Sequence, residues 1–286
     1  MDCALEVKGL RKQYSGFTLE NFNLALPKGS IMGLIGENGA GKSTAFKTIL
    51  GLAHKDVGSV KCFGTDFRPE DKDLKEKIGV VFDGNPFQEL LTPKQLGNIA
   101  KQAYKQWDMK QYQNYLSMFK LDPNKKVKDL SKGMGVKLSL ALALSHNAEL
   151  LILDEPTSGL DPIVRDEILD VFLDFVQDEN HSILISSHIT SDLEKVADYI
   201  TFLHEGKIIM SKEKDELIEQ YGILRCKEST YQELNRNEMI AYKKEDYQWN
   251  VLVKNRRKLM QTMKDAVIDK PTIDEIMLLC VKGERV

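Results

Sequence analysis

The chain has 286 residues, 42% hydrophobic and 29% charged, with 40 Lys+Arg against 43 Asp+Glu for a net charge of −3. At ~150 residues per domain this corresponds to roughly two domains, ample for a buried core. The balance of charge excludes a disordered polyelectrolyte and a strongly basic nucleic-acid binder. At the N-terminus, acidic and basic residues stand where a signal peptide needs an apolar run. No stretch reaches the ~18 consecutive apolar residues of a membrane helix, so a link to a membrane has to come through a partner.

Leu5 to Lys8 and Thr18 to Leu26 read as short strands broken at Ser15-Gly16, and Ser30 to Ile35 is an apolar strand entering a glycine-rich loop, followed by a helix from Lys42 to Leu52. Ile78 to Phe82 is a further strand. From Thr92-Pro93 to about Leu121 the spacing of Leu96, Ile99, Ala100, Ala103, Trp107, Tyr112, Tyr115, Leu116 and Phe119 predicts helix with buried faces, and Val136 to Ser145 predicts another. Two apolar strands follow, Leu150 to Leu153 and Ser182 to Ile185, around a helix from about Ile163 to Gln177; uninterrupted apolar strands alternating with helices predict a parallel sheet covered on both faces. His204 to Lys207 reads as a hairpin turn. Residues 215–286 are charge-balanced and predict a small α+β accessory domain, with Tyr221 to Lys227, Asn250 to Lys254 and the helix-like Asn255 to Val267 suggesting compact mixed structure. Cys3, Cys62, Cys226 and Cys280 are scattered, with no CxxC pair, and read as free thiols in a reducing compartment rather than a zinc site or disulfide framework.

Gly36-Glu37-Asn38-Gly39-Ala40-Gly41-Lys42-Ser43 matches GxxxxGK[ST], placed after a strand and before a helix. The glycines let the backbone curl so that successive N–H groups face anionic oxygens, and the helix start adds its positive end. Lys42 is then expected to reach the β- and γ-phosphates of ATP, and the Ser43 hydroxyl to ligate Mg²⁺. A second carboxylate site supports this: the apolar run Leu150 to Leu153 ends in Asp154-Glu155. A rigid strand end there would place Asp154 in the Mg²⁺ shell and Glu155 toward an attacking water as general base.

With these residues in view, positions 3 to 212 resemble the ATP-binding subunits of ABC transporters. Leu130-Ser131-Lys132-Gly133-Met134 is similar to that family's LSGGQ signature, with Ser131 and Gly133 matching and Lys132 and Met134 departing. Ser158-Gly159-Leu160-Asp161 resembles the D-loop that crosses the dimer interface, His188 the switch histidine at the γ-phosphate, and Tyr14 the aromatic that stacks on adenine. Asp83 stands where the family has a glutamine; it is either a replacement magnesium ligand or a turn residue before Gly84. The resemblance implies an α/β fold of the P-loop NTPase, ABC ATPase type: an ATP-binding domain over 1–214 with an antiparallel β lobe and a helical lobe at about 85–146, then the extension at 215–286. It also implies that ATP contacts Tyr14, Gly36, Asn38, Gly39, Ala40, Gly41, Lys42, Ser43 and Thr44, together with Ser131, Gly133 and Asp161. The metal set is Ser43, Asp83 and Asp154, and the catalytic set Lys42, Glu155 and His188.

In the family the signature caps the ATP of the opposite subunit, so the resemblance implies a head-to-tail pair, homodimeric or heterodimeric, glued by ATP and opened by hydrolysis. It implies a separate transmembrane permease and a position at the cytoplasmic face of the cell membrane, with Phe87, Leu90, Leu91 and Pro93 as candidate permease contacts. The signature variant, Asp83 and the C-terminal extension resemble Gram-positive ABC-2-type exporters, some of which move peptides or toxins. A soluble ABC ATPase of the ribosome or nucleic acid fits less well without tandem ATPase domains, coiled-coil insertions or a basic stripe, and a P-loop small-molecule kinase leaves Ser131-Lys132-Gly133 and Asp161 unexplained. Residues 215–286 read either as a regulatory ligand domain or as a clamp that keeps two copies close when ATP leaves.

Overall fold

The computed structural model describes residues 2–84, 86–263 and 266–285. In chain order the strands are β1 (Cys3–Tyr14), β2 (Phe17–Pro27), β3 (Ile31–Ile35), β4 (Val57–Cys62), β5 (Thr65–Asp66), β6 (Ile78–Val81), β7 (Leu150–Asp154), β8 (Ser182–Ser187), β9 (Tyr199–His204), β10 (Lys207–Glu213), β11 (Gly222–Cys226), β12 (Met239–Glu245), β13 (Gln248–Val253), β14 (Ile268–Asp269) and β15 (Glu284–Arg285). The helices are α1 (Lys42–Ile49), α2 (Lys72–Glu76), α3 (Pro93–Ala103), α4 (Met109–Met118), α5 (Lys132–Ala143), α6 (Pro162–Phe175), α7 (Thr190–Val196), α8 (Lys214–Gln220), α9 (Glu228–Glu233), α10 (Arg256–Thr262) and α11 (Ile273–Lys282).

The described residues form three sheets. The central one runs β10-β9-β3-β8-β7-β6, parallel from β9 to β6 with β10 antiparallel at the edge. Every residue of β3, β7 and β8 is buried, as expected of parallel strands covered on both faces. An antiparallel sheet, β2-β1-β4-β5, covers one face, and Phe22, Phe46, Met32, Leu34, Ile152 and Leu184 form the core between them. The other face is packed by residues of α5, α6 and α7, including Leu140, Ile168, Phe172 and Leu193.

The third sheet, β14-β11-β13-β12-β15, is antiparallel and obeys period-two alternation. Ile223, Ala241 and Leu252 point into the same core as α6 and α7, with Ile273, Ile276 and Leu279 of α11, whereas Leu224, Val251 and Val253 face a separate cluster with Leu259 of α10. The C-terminal extension is therefore fastened to the central core. Glu194 of α7 accepts from the Ile273 N–H at 2.7 Å at the start of α11.

Several expectations need correction. The helical stretch from 92 to 121 is two helices, because the chain turns at Tyr104 and restarts where the Asp108 side chain caps α4. Ile99 and Ala103 are exposed. Ile99 lies about 100° around α3 from the centre of the buried Pro93, Leu96, Gly97 and Ala100 face, and Ala103 is at the helix end. The helix expected from Val136 begins at Lys132, capped by Ser131, which accepts from the Met134 N–H at 3.3 Å. The helix expected over Asn255–Val267 covers only Arg256–Thr262, with positions 264 and 265 outside the described residues. The four cysteines form no disulfide; burial pushes the Cys62 thiol up to about 12 and the Cys280 thiol up to about 11. No described helix is long and apolar enough to cross a membrane.

Candidate functional site

The site is built where β3 ends. At Gly36 a Cβ would lie 2.4 Å from the Leu203 carbonyl oxygen, and at Gly41, with φ 108°, it would lie 2.5 Å from the Phe17 ring. Only glycine lets the loop lie this close to β9 and to the β1–β2 hairpin. The loop is anchored by hydrogen bonds from Ala40 N–H to the Glu37 carbonyl and from Gly206 N–H to the Ala40 carbonyl, both 3.0 Å. Gly41 supplies no side-chain cap and α1 has no acidic residue in its first turn, so the unpaired N–H groups at the helix start remain available to an anion.

A cleft of about 280 Å³ opens there, lined by Phe17, Glu37, Asn38, Gly39, Gly41, Lys42, Ser43, Thr44, Asp83 and Glu155. Lys42 is buried. Its ammonium donates to the Gly36 carbonyl at 2.7 Å and forms an ion pair with Glu155 Oε1 at 3.2 Å. The second oxygen of Glu155 lies 2.6 Å from His188 Nδ1 and 3.3 Å from the His188 N–H. Lys42, Glu155 and His188, drawn from three separate sequence segments, thus form one connected polar cluster.

Asp154 ends β7 almost fully buried and accepts from Ser186 Oγ at 2.6 Å. The same Ser186 hydroxyl accepts from the Glu155 N–H at 3.0 Å, which helps hold Glu155 in a left-handed conformation at φ 51°. Ser186 is a supporting residue that the sequence reading missed; its only signal was the paired serines at the end of an apolar strand, just before His188. Phe17 was also missed. It lines the cleft, whereas Tyr14, its cross-strand neighbour, is 46% exposed and outside the lining, with Lys12 Nζ 5.0 Å from its ring centre.

Ser131, Gly133 and Asp161 are not among the residues lining the cleft. Gly133 packs beside Val164, Ser131 caps α5, and Asp161 caps α6 by accepting from the Val164 N–H at 3.1 Å. Lys132 pairs with Asp83 at 3.4 Å, so two of the departures from the expected pattern meet at the rim. Of the candidate permease contacts, Pro93 is buried, Phe87 and Leu91 are half-buried, and Leu90 is exposed.

The ABC transporter family profile matches residues 19–158. The chain is 37% identical over 226 residues to the bacitracin transport ATP-binding protein BcrA of Enterococcus faecalis, covering 76% of this chain and 71% of that protein. It is 38% identical over 214 residues to the lantibiotic transport ATP-binding protein SrtF of Streptococcus pyogenes, covering 74% and 91%. Among solved structures, an ATP-binding subunit of an ABC transporter superposes with a TM-score of 0.68 at 28% identity, over 75% of this chain and 91% of that one.

Proposed function

This chain belongs to the ATP-binding subunits of ABC transporters and is an ATPase, and we propose that it pairs head-to-tail with a second such subunit around ATP to drive export of a peptide through a separate transmembrane permease. The observation that carries this reading is the Lys42–Glu155–His188 cluster at the mouth of a phosphate loop whose own chain's Ser131 is not part of the lining. A loop of this kind with its capping serine elsewhere calls for a second molecule to seal the far end of the triphosphate.

In the proposed mechanism, the amides of the Gly36–Ser43 loop and Lys42 bind the β- and γ-phosphates, and Lys42 exchanges the Gly36 carbonyl for phosphate oxygen. Glu155 accepts a proton from the water that attacks the γ-phosphorus, while the bond from that phosphorus to the bridging oxygen breaks and ADP and inorganic phosphate leave. His188 holds Glu155 in place through its ring Nδ1 and its backbone N–H, and its ring is assigned to the γ-phosphoryl side. Tyr14 and Phe17, facing each other across the β1–β2 hairpin, are assigned to the base and ribose side. The donor set of the Ser43 hydroxyl with the Asp154 and Asp83 carboxylates is hard oxygen throughout and fits Mg²⁺, with Asp154 aimed by Ser186. Held there, the ion would supply charge neutralisation of the phosphates. Asp161, at the start of α6, is assigned to the dimer interface with Ser131 and Gly133.

Residues 1–214 are assigned as the ATP-binding domain, with the helical lobe at about 85–146. The extension at 215–286, clamped to α7 through α11, is assigned to steadying the pair. The names of the two relatives, ATP-binding proteins of bacitracin and of lantibiotic transport, support a peptide cargo; a place at the cytoplasmic face of the membrane, through the permease, belongs to the same proposal. Turnover per molecule should fall on dilution, and ATPase activity of the chain co-purified with its permease should rise with added bacitracin or lantibiotic. Turnover strictly proportional to protein concentration at every dilution would refute the two-molecule site.

A further inference from the structure

Asp192, in the first turn of α7, is buried, and its Oδ2 makes no hydrogen bond. The cation facing it is Arg165 of α6, whose Nε lies 3.7 Å away, is buried and is likewise without a hydrogen bond. Opposite charges inside a protein require each other. At this separation they attract but do not bond, so the pair is left one short movement from completion.

The connections of the two side chains give that movement a direction. Arg165 Nη2 reaches the Leu160 carbonyl at 3.4 Å, and the Arg165 N–H bonds to the Asp161 carbonyl at 3.0 Å, so Arg165 is held to the Ser158–Asp161 loop. Asp192 N–H bonds to the Ile189 carbonyl at 3.3 Å, and Ile189 N–H bonds to Ser187 Oγ at 2.9 Å, so the turn carrying Asp192 winds directly out of the His188 segment. On the surface, Lys195 and Asp166 tie the same two helices at 2.8 Å. The chain of contacts therefore runs from the loop assigned to the dimer interface, through Arg165 and Asp192, to the histidine on Glu155.

We propose that Arg165 and Asp192 are positioning residues for hydrolysis: when a second copy engages the Ser158–Asp161 loop, Arg165 closes on Asp192 and sets α7, and with it His188, against Glu155. This rests on the roles given above to Glu155 and His188. The pair touches no substrate; it passes contact at the Ser158–Asp161 loop on to His188.

The test uses the full-length chain and four forms: wild type, Arg165→Lys, Arg165→Leu and the double variant Arg165→Leu/Asp192→Leu. The single leucine variant strands a buried carboxylate, whereas the double variant removes both charges and should melt with the wild type. A positioning role predicts that the double variant keeps its KM for ATP within about twofold and loses about tenfold in kcat, while its turnover still falls on dilution because the second molecule's Ser131 is still needed. Arg165→Lys keeps the charge but not the fork, and supplies the same comparison should the leucine variants not fold: lowered kcat at unchanged KM supports the proposal. Wild-type kcat in either the stable double variant or Arg165→Lys would overturn it. Glu155→Gln, assayed in parallel, separates the two readings: normal turnover in that variant would overturn the site itself and this inference with it.

Discussion

Replacing Glu155 by Gln changes one oxygen to an amide nitrogen and removes a charge from the middle of the cluster. At 3.2 Å from Lys42 Nζ, the ion pair has a gross attraction of roughly 5 kcal/mol at an effective dielectric of about 20. Most of this is offset by the cost of desolvating two mostly buried groups. Lys42 keeps its bond to the Gly36 carbonyl at 2.7 Å, and the glutamine oxygen still accepts from it, so the net loss should be about 1–2 kcal/mol, a few degrees in Tm. The effect on turnover is much larger, because an amide cannot take the proton of the attacking water: loss of a positioned base costs about 10²–10⁴ in rate. ATP binding should hold or tighten, since one negative charge is gone from beside the γ-phosphate. The variant should therefore bind labelled ATP, hydrolyse it at least a hundredfold more slowly, and accumulate as a dimer in light scattering with MgATP. A kcat within a few-fold of wild type, in a variant that binds and melts as described, would remove Glu155 from its role.

Gly36→Ala should weaken ATP binding and destabilise the chain by about 1–3 kcal/mol, because the new Cβ meets the Leu203 carbonyl at 2.4 Å; calorimetry with and without ATP checks both. His146 is buried, stacked on Tyr104 and bonded through Nδ1 to the Glu76 carbonyl at 2.9 Å, and burial holds its pKa below the usual 6.5. Its folded-state pKa is the lower one, so below about 6.5 the unfolded chain takes up the proton first. Stability is then lost as pH falls from 6.5 toward the folded pKa, with a slope of at most about 1.4 kcal/mol per pH unit; denaturation of His146→Gln should lack this slope, and an identical slope would exclude His146 as its source. Lys132→Ala should change stability by less than about 1 kcal/mol, because its pair with Asp83 is half-exposed, yet weaken ATP-dependent dimerisation of the Glu155→Gln variant; unchanged dimerisation would mean that Lys132 adds nothing to phosphate binding across the interface.

The parts of this site that could be read from sequence are those in which one short segment carries both the geometry and the chemistry. The apolar strand, the glycines and Lys42 are contiguous, as are Leu150 to Leu153 and the two acids, so local pattern and site coincide. What stayed hidden is made by residues far apart in the chain. Ser186 supports Asp154 and Glu155 from the neighbouring strand, and Phe17 reaches the cleft only because β2 folds over the loop. Arg165 and Asp192 each look like an ordinary charge on the polar side of an amphipathic helix; nothing in the spacing of α6 or α7 tells that their two polar sides face one another. The break between α3 and α4 was missed for a related reason. Apolar residues continue through Trp107, and only the cap at Asp108 marks the restart.

The same separation in sequence explains why Lys132 and Asp83 are understood better together than singly. Taken alone, an aspartate at position 83 adds a negative charge to a cleft built for polyphosphate, and a lysine at 132 adds a cation to a loop otherwise made of hydroxyl and backbone donors. At 3.4 Å each offsets the other's charge, and the pair links the rim of the cleft to the start of α5 within one chain. On the assignments proposed above, opening this pair would leave Lys132, beside Ser131, available to phosphate held by a second molecule, and would leave Asp83 available at the rim of its own cleft.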